Sequence, residues 1–162
     1  MKNNFIDTIR QIFIRYFPFV VVFTYSLFSP GDSDMGWHLK YGEYFSQNHQ
    51  ILRENIFSSM MPGYQWVNSS WVTDLITYAV FKNFGFIGLS IISALIVTGI
   101  FYFFSKVAKL SLWGKSLLFP IILYLERPFI EVSFRGQLLT LLGFSILYFI
   151  FDQYTQGKKK IA

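Results

Sequence analysis

Apolar residues fall into four runs, at about residues 13–29, 84–105, 112–125 and 136–151. The second is the clearest. Its 22 residues carry no charge, against the roughly 20 that a helix needs to cross a bilayer. The first run holds Arg15 near its start, where a long side chain can snorkel to the headgroups, and Pro18 in its first turns, where proline is tolerated. The third is shortened by Lys115 and bent by Pro120. Glu126, Arg127, Glu131 and Arg135 then interrupt the pattern. Four charges near a bilayer centre would cost on the order of 10 kcal/mol, so a loop is expected at 126–135. Ahead of the first run, Phe5, Ile6, Ile9, Ile12 and Phe13 share one helical face, which predicts an interfacial lead-in helix over 3–14.

Residues 30–83 follow a different pattern. They hold too many charges for hydrocarbon, yet they are rich in Trp and Tyr. Trp37, Tyr41, Tyr44 and Phe45 recur at i, i+4, i+7 and i+8, predicting an amphipathic helix from about Met35 to Asn48. Asp34 stands where an N-cap would accept a free backbone N–H. Trp71, Leu75 and Tyr78 predict a second helix from about Ser70 to Asn83, and Met61-Pro62-Gly63-Tyr64 between the two is a turn signal. The expected fold is therefore an all-α membrane protein with four transmembrane helices. Its first loop, 30–83, would lie on the membrane surface.

Composition agrees. Of 162 residues, 53% are hydrophobic, 21% aromatic and only 14% charged, with twenty Phe and ten Tyr. One small soluble core needs far fewer aromatics. The net charge of +5 does not point to nucleic acid, because the basic residues are scattered and interrupted by apolar runs. With four passes both termini share one side, which then carries nine Lys and Arg against five on the other. The bias of basic residues toward the cytoplasm places both termini inside a plasma (inner) membrane and loop 30–83 in the extracytoplasmic space. The tail Lys158-Lys159-Lys160 would favour an anionic inner leaflet. No A-x-A-like site precedes Pro30, so the first run reads as an uncleaved anchor. The absence of Cys excludes disulfides, zinc-thiolate sites and thiol nucleophiles.

Candidate chemistry gathers in Pro30-Gly-Asp-Ser-Asp-Met-Gly-Trp-His38. Asp32 and Asp34 form D-x-D, and His38 follows Asp34 by four residues, on the same side of a helix. A turn and a helix cap explain these residues without any function. A catalytic reading makes the Asp34 carboxylate, with Asp32 beside it, the acceptor of a proton from a hydroxyl. In another, Asp32, Asp34 and His38 hold a divalent cation such as Mg²⁺ or Mn²⁺. Lys40, Arg53, Arg127 and Arg135 lie on the same side and could neutralise a leaving phosphate. Asn68-Ser69-Ser70 fits the N-glycosylation sequon, a pattern common by chance.

The segments DSDMGWHLKYGEYF, ENIFS, YQWVNSSWVTDLITY and ERPFIEVSFRGQLLTLL resemble a bacterial group of GT-C-type membrane glycosyltransferases. That group shows a D-x-D-x-x-W-H-L-x-x-G-E-like opening and an R-P near a later helix. The resemblance spans about residues 15–155. It implies an enzyme that uses a polyprenyl-phosphate sugar as donor, within a lipid bilayer. It also implies that Asp34 is the catalytic or metal-binding acid, Asp32 its partner and His38 a ligand or supporting residue. GT-C enzymes have at least seven spans, so the chain reads as the N-terminal part of a longer protein, inactive alone. The alternative is a small non-catalytic multi-pass membrane protein. A transporter is disfavoured because the runs carry almost no ionisable residue.

Overall fold

Six helices, the longer of them largely apolar, follow one another among the described residues. They are α1 (Lys2–Tyr25), α2 (Met35–Asn48), α3 (Trp71–Val107), α4 (Leu112–Leu125), α5 (Arg127–Glu131) and α6 (Gly136–Thr155). A computed structural model describes residues 2–28, 31–131 and 134–157. There is no β-strand among them, only an isolated antiparallel bridge between Glu54 and Gln65.

Several boundaries match the periodicity. Helix α2 occupies 35–48 and α4 occupies 112–125. Two expectations change. The lead-in helix and the first run form one continuous helix, α1, with Pro18 inside it, and it ends at Tyr25 rather than near residue 29. The expected loop at 126–135 contains the short α5, whose Ile130 is buried in the core.

The surface helix and the second run are joined into α3, and the join is visible in the backbone. Gly85 sits at φ 62°, ψ −157° within the helix, a region open essentially to glycine alone. It bends the chain between an amphipathic half at 71–84 and an apolar half at 86–107, which spans about 33 Å at 1.5 Å per residue.

Helix order follows from a few contacts. Helix α1 lies along α4, with Phe13, Phe17 and Pro18 beside Leu112 and Trp113, and the rings of Phe19 and Phe119 are 5.6 Å apart. The apolar half of α3 runs alongside α6, where Gly99 meets Leu142 and the rings of Phe103 and Phe149 are 5.5 Å apart. Asp32, just beyond α1, touches Arg135, just before α6. Successive long helices therefore reverse direction. The α1 C-terminus and the α6 N-terminus share one end of the bundle. Phe19, Val22, Leu89, Val97, Phe101, Phe119, Leu123 and Leu138 fill its core.

Two helices, α3 and α6, are long and apolar enough to cross a membrane. In α6 only 6% of the apolar window is buried, and Phe144, Leu147, Tyr148, Phe151 and Tyr154 stand exposed. A soluble core helix would hide such a face; this one suits lipid. Helix α4, with 14 residues, covers only about 21 Å. Helix α1 is longer, but Asp7, Arg10 and Arg15 lie in its first two-thirds.

Gly85→Ala should destabilise the fold by about 1–3 kcal/mol, the cost of forcing a Cβ into that backbone region. Thermal unfolding of the two proteins in detergent micelles measures this. An unchanged midpoint would mean that the bend does not need glycine.

Candidate functional site

Positioning of the site begins with a residue that has no side chain. A Cβ on Gly42 would fall 2.1 Å from the Asp74 carbonyl oxygen and 2.6 Å from the Tyr78 Cβ. Glycine thus lets α2 lie directly on the amphipathic half of α3. His38 is one turn before Gly42 on the same face, and this contact carries its imidazole to the Asp74 side chain. His38 Nδ1 is 2.7 Å from Asp74 Oδ1.

The other oxygen of Asp74 is taken as well. Asn68 Nδ2 donates to Asp74 Oδ2 at 2.6 Å, and Asn68 Oδ1 accepts from the Ser70 backbone N–H at 2.9 Å. A hairpin-like pair of extended segments delivers Asn68. Asn55 N–H donates to Tyr64 O at 2.8 Å, Trp66 N–H to Arg53 O at 2.9 Å, and Asn68 N–H to Leu52 O at 3.1 Å. The turn at Met61–Tyr64 closes the pair, with Gly63 at φ 74°. The aromatic face of α2 packs on this hairpin and on α3, with Tyr41 5.1 Å from Trp66 and Phe45 4.9 Å from Trp71.

Asp74 is only 1% exposed. It lies in the first turn of α3, where the helix dipole favours a carboxylate. His38 is held above its ordinary pKa, first by the hydrogen bond with Asp74 and then by the charge of that carboxylate, against the opposing effect of burial.

Asp32 joins the loop before α2 to the loop before α6. Arg135 Nε and Nη2 donate to its two carboxylate oxygens in a bidentate pair. Asp32 Oδ1 also accepts the Asp34 backbone N–H at 2.8 Å. Met35 and Phe134, each adjacent to this group, are buried in the core and bring the two loops together. The Asp32 side chain has no solvent exposure. Burial opposes its charge, but the Arg135 hydrogen bonds, the Asp34 amide and the Arg135 charge prevail and hold its pKa below the usual carboxylate value.

Asp34 is different. Its side chain is 62% exposed, with Oδ2 3.6 Å from Arg135 Nη2. It occupies the N-cap position of α2, but its side chain makes no cap hydrogen bond, contrary to the sequence expectation. Its carbonyl oxygen accepts from Trp37 and His38 instead. The side chain that folds back on the turn is that of Asp32.

Beside these groups opens a polar cavity of about 380 Å³. His38, Ser69, Ser70, Thr73, Arg135 and Gln137 are among its lining residues, and neither aspartate of the D-x-D pair is.

The expected metal set does not assemble. Asp32 is engaged by Arg135 and His38 by Asp74. Among the described residues no group of three His, Asp or Glu could hold an ion. The side chains do not fit a Mg²⁺ or Mn²⁺ site. The expected phosphate-binding set is also divided. Arg135 reaches the cavity. Lys40 is exposed and pairs with Glu43 at 2.8 Å. Arg53 lines a separate cavity of about 630 Å³ with Tyr44, Glu54 and Trp71. Arg127 opens α5, exposed and outside the lining of the polar cavity. Asn68, read as a sequon, is 3% exposed and held in the hydrogen-bond network.

Sequence reasoning missed Asp74 and Asn68 as site residues. Their signals were an acid in the first turn of an amphipathic helix and an Asn preceding the N-cap Ser70. Compared with known proteins, the chain matches no family model, no curated protein and no solved structure.

Two predictions follow from this geometry. The raised folded-state pKa of His38 means that the dyad's stabilisation is complete below the unfolded value of about 6.5. It fades as pH rises through the higher folded value. Gly42→Ala should destabilise by roughly 1–3 kcal/mol through overpacking and should flatten this dependence between pH 6 and 8, as read by thermal unfolding across that range. A double-mutant cycle with Asp32→Asn and Arg135→Met should give a coupling of about 1–3 kcal/mol, as expected of contacting, partly buried partners. Additive effects would show that the pair does not couple the loops.

Proposed function

We propose that this chain is the N-terminal portion of a GT-C-type integral membrane glycosyltransferase. It would transfer a sugar from a polyprenyl-phosphate donor on the extracytoplasmic side of a bacterial plasma membrane. The observation that carries this reading is the placement of Asp34. It is an exposed carboxylate 3.6 Å from Arg135, a residue that lines a polar cavity on the end of an apolar helical bundle. A lipid-linked donor needs that combination: apolar helix faces for the chain, and polar groups at the level of the headgroup.

In this reading all four helices α1, α3, α4 and α6 pass through the bilayer, with α1 and α4 completed by flanking residues or neighbouring helices. Their alternating directions and the excess of Lys and Arg at the terminal end support termini in the cytoplasm. Arg135 meets the phosphate that leaves, a charge-assisted contact suited to a guanidinium. Asp34 faces the sugar, where a carboxylate stabilises the positive charge that develops as the bond to phosphate breaks.

A second reading has its own observation. The fully buried Asp32 side chain, clamped by Arg135, is what a non-catalytic multi-pass membrane protein would use to fix its loops. Sugar transfer decides between them. Membranes carrying the full-length protein, supplied with polyprenyl-phosphate sugars, should lose at least about a hundredfold in rate with Asp34→Asn while insertion stays normal. If Asp34→Asn transfers sugar as well as wild type, Asp34 is not catalytic; if the correctly inserted wild type transfers none, the non-catalytic reading takes over.

A further inference from the structure

One buried and fully partnered carboxylate is left unused by the D-x-D reading. Asp74 is buried, and each of its carboxylate oxygens has a partner: His38 on one side and Asn68 on the other. Asn68 is fixed in turn by the Ser70 amide and by the hairpin. Such an array holds an imidazole in one orientation and one tautomer. With Nδ1–H donated to the carboxylate, the neutral ring presents Nε2 as a free acceptor. The His38 side chain is 30% exposed and lines the polar cavity. Asp34 does not line it.

We propose that His38 is the general base of this site, accepting through Nε2 the proton of a substrate hydroxyl bound in the cavity, with Asp74 and Asn68 as its positioning residues. The proposal rests on the glycosyl-transfer reading above and assigns the proton step within it. The hydroxyl O–H bond breaks and its oxygen forms the new bond to the sugar carbon. The sugar–phosphate bond breaks and its electron pair leaves with the phosphate. The proton goes to Nε2 and then to water. Asp34 keeps its place opposite the sugar.

Three features favour His38 over a carboxylate as the base. Its side chain opens on the cavity. Its other nitrogen is held by a buried acid, as a base that must become cationic requires. An imidazole also titrates close to neutral pH, where general-base catalysis is most efficient. The charged groups facing it are Asp74 from α3, Asp32 from the turn before α2 and Arg135 from the loop before α6, and the first of these dominates its titration. Ser69, Ser70, Thr73 and Gln137 supply donors and acceptors for a polyhydroxylated ligand.

The test uses the full-length protein in membranes, with transfer followed from pH 5 to 9. His38→Gln should lower kcat by about 10²–10⁴-fold, the usual range for one general base, with KM little changed and the acidic limb of the pH profile abolished. In Asp74→Asn that limb should move to lower pH, because the imidazole loses its carboxylate. His38→Ala should recover activity with added imidazole, which a structural histidine would not allow, and this arm remains decisive if His38→Gln inserts poorly. If the wild type transfers sugar and His38→Gln retains both rate and acidic limb, the assignment of the base is overturned while the glycosyl-transfer reading stands. Absence of transfer by correctly inserted wild type at every pH overturns both.

Discussion

The distance between α2 and α3 sets the rest of the site. At Gly42 the two helices meet backbone against backbone, because no Cβ keeps them apart. The hydrogen-bond network around Asp74 follows from that approach. His38, one turn away, reaches a carboxylate that is otherwise sealed. Asn68 closes the opposite side of Asp74 because Trp66 and Phe57 on its hairpin segment pack on Tyr41 of the same helix. A side chain at position 42 would therefore disturb a hydrogen-bond network in which Gly42 itself takes no part.

A second constraint acts across the bundle. Arg135 and Asp32 are 103 residues apart and join the start of α2 to the start of α6. Removing an ion pair from water is costly unless geometry and extra hydrogen bonds compensate. Here the contact is bidentate, and the Asp34 amide adds a further donor to Asp32. The pair lies over Met35 and Phe134, so the apolar core and the charged cluster hold each other in register.

These two constraints divide the acids by task. Asp32 and Asp74 are buried and fully engaged, which suits rigid positioning. Asp34 is exposed and only loosely held, which suits contact with a ligand. The D-x-D spacing thus separates two carboxylates that residue type alone treats as equivalent. The proposed chemistry uses this separation. His38 faces the cavity and Asp34 stands exposed beside Arg135, while Asp74, which orients His38, is hidden behind.

The helices were largely legible in the linear pattern. The aromatic period of 35–48, the run at 112–125 and the uncharged 84–105 segment all report local tendencies that a helix of any tertiary arrangement would express. The bend at Gly85 was legible only as a change of character between an amphipathic and an apolar stretch. Asp32, Asp34, His38 and Arg135 were recognised as candidates from residue type. Their partners were not, because the i, i+4 relation of Asp34 and His38 suggested one pairing and the folded chain makes another.

The sequence by itself determined an all-helical, aromatic-rich chain with apolar runs long enough to meet lipid, and a polar cluster between two of them. Those properties follow from the periodicity and transfer energy of individual segments. Tertiary structure alone decided that His38 pairs with Asp74, that Arg135 belongs to Asp32 and that Lys40, Arg53 and Arg127 do not share its cavity. Such choices depend on how closely two helix backbones approach and on which loops the core draws together. Spacing along the chain encodes neither.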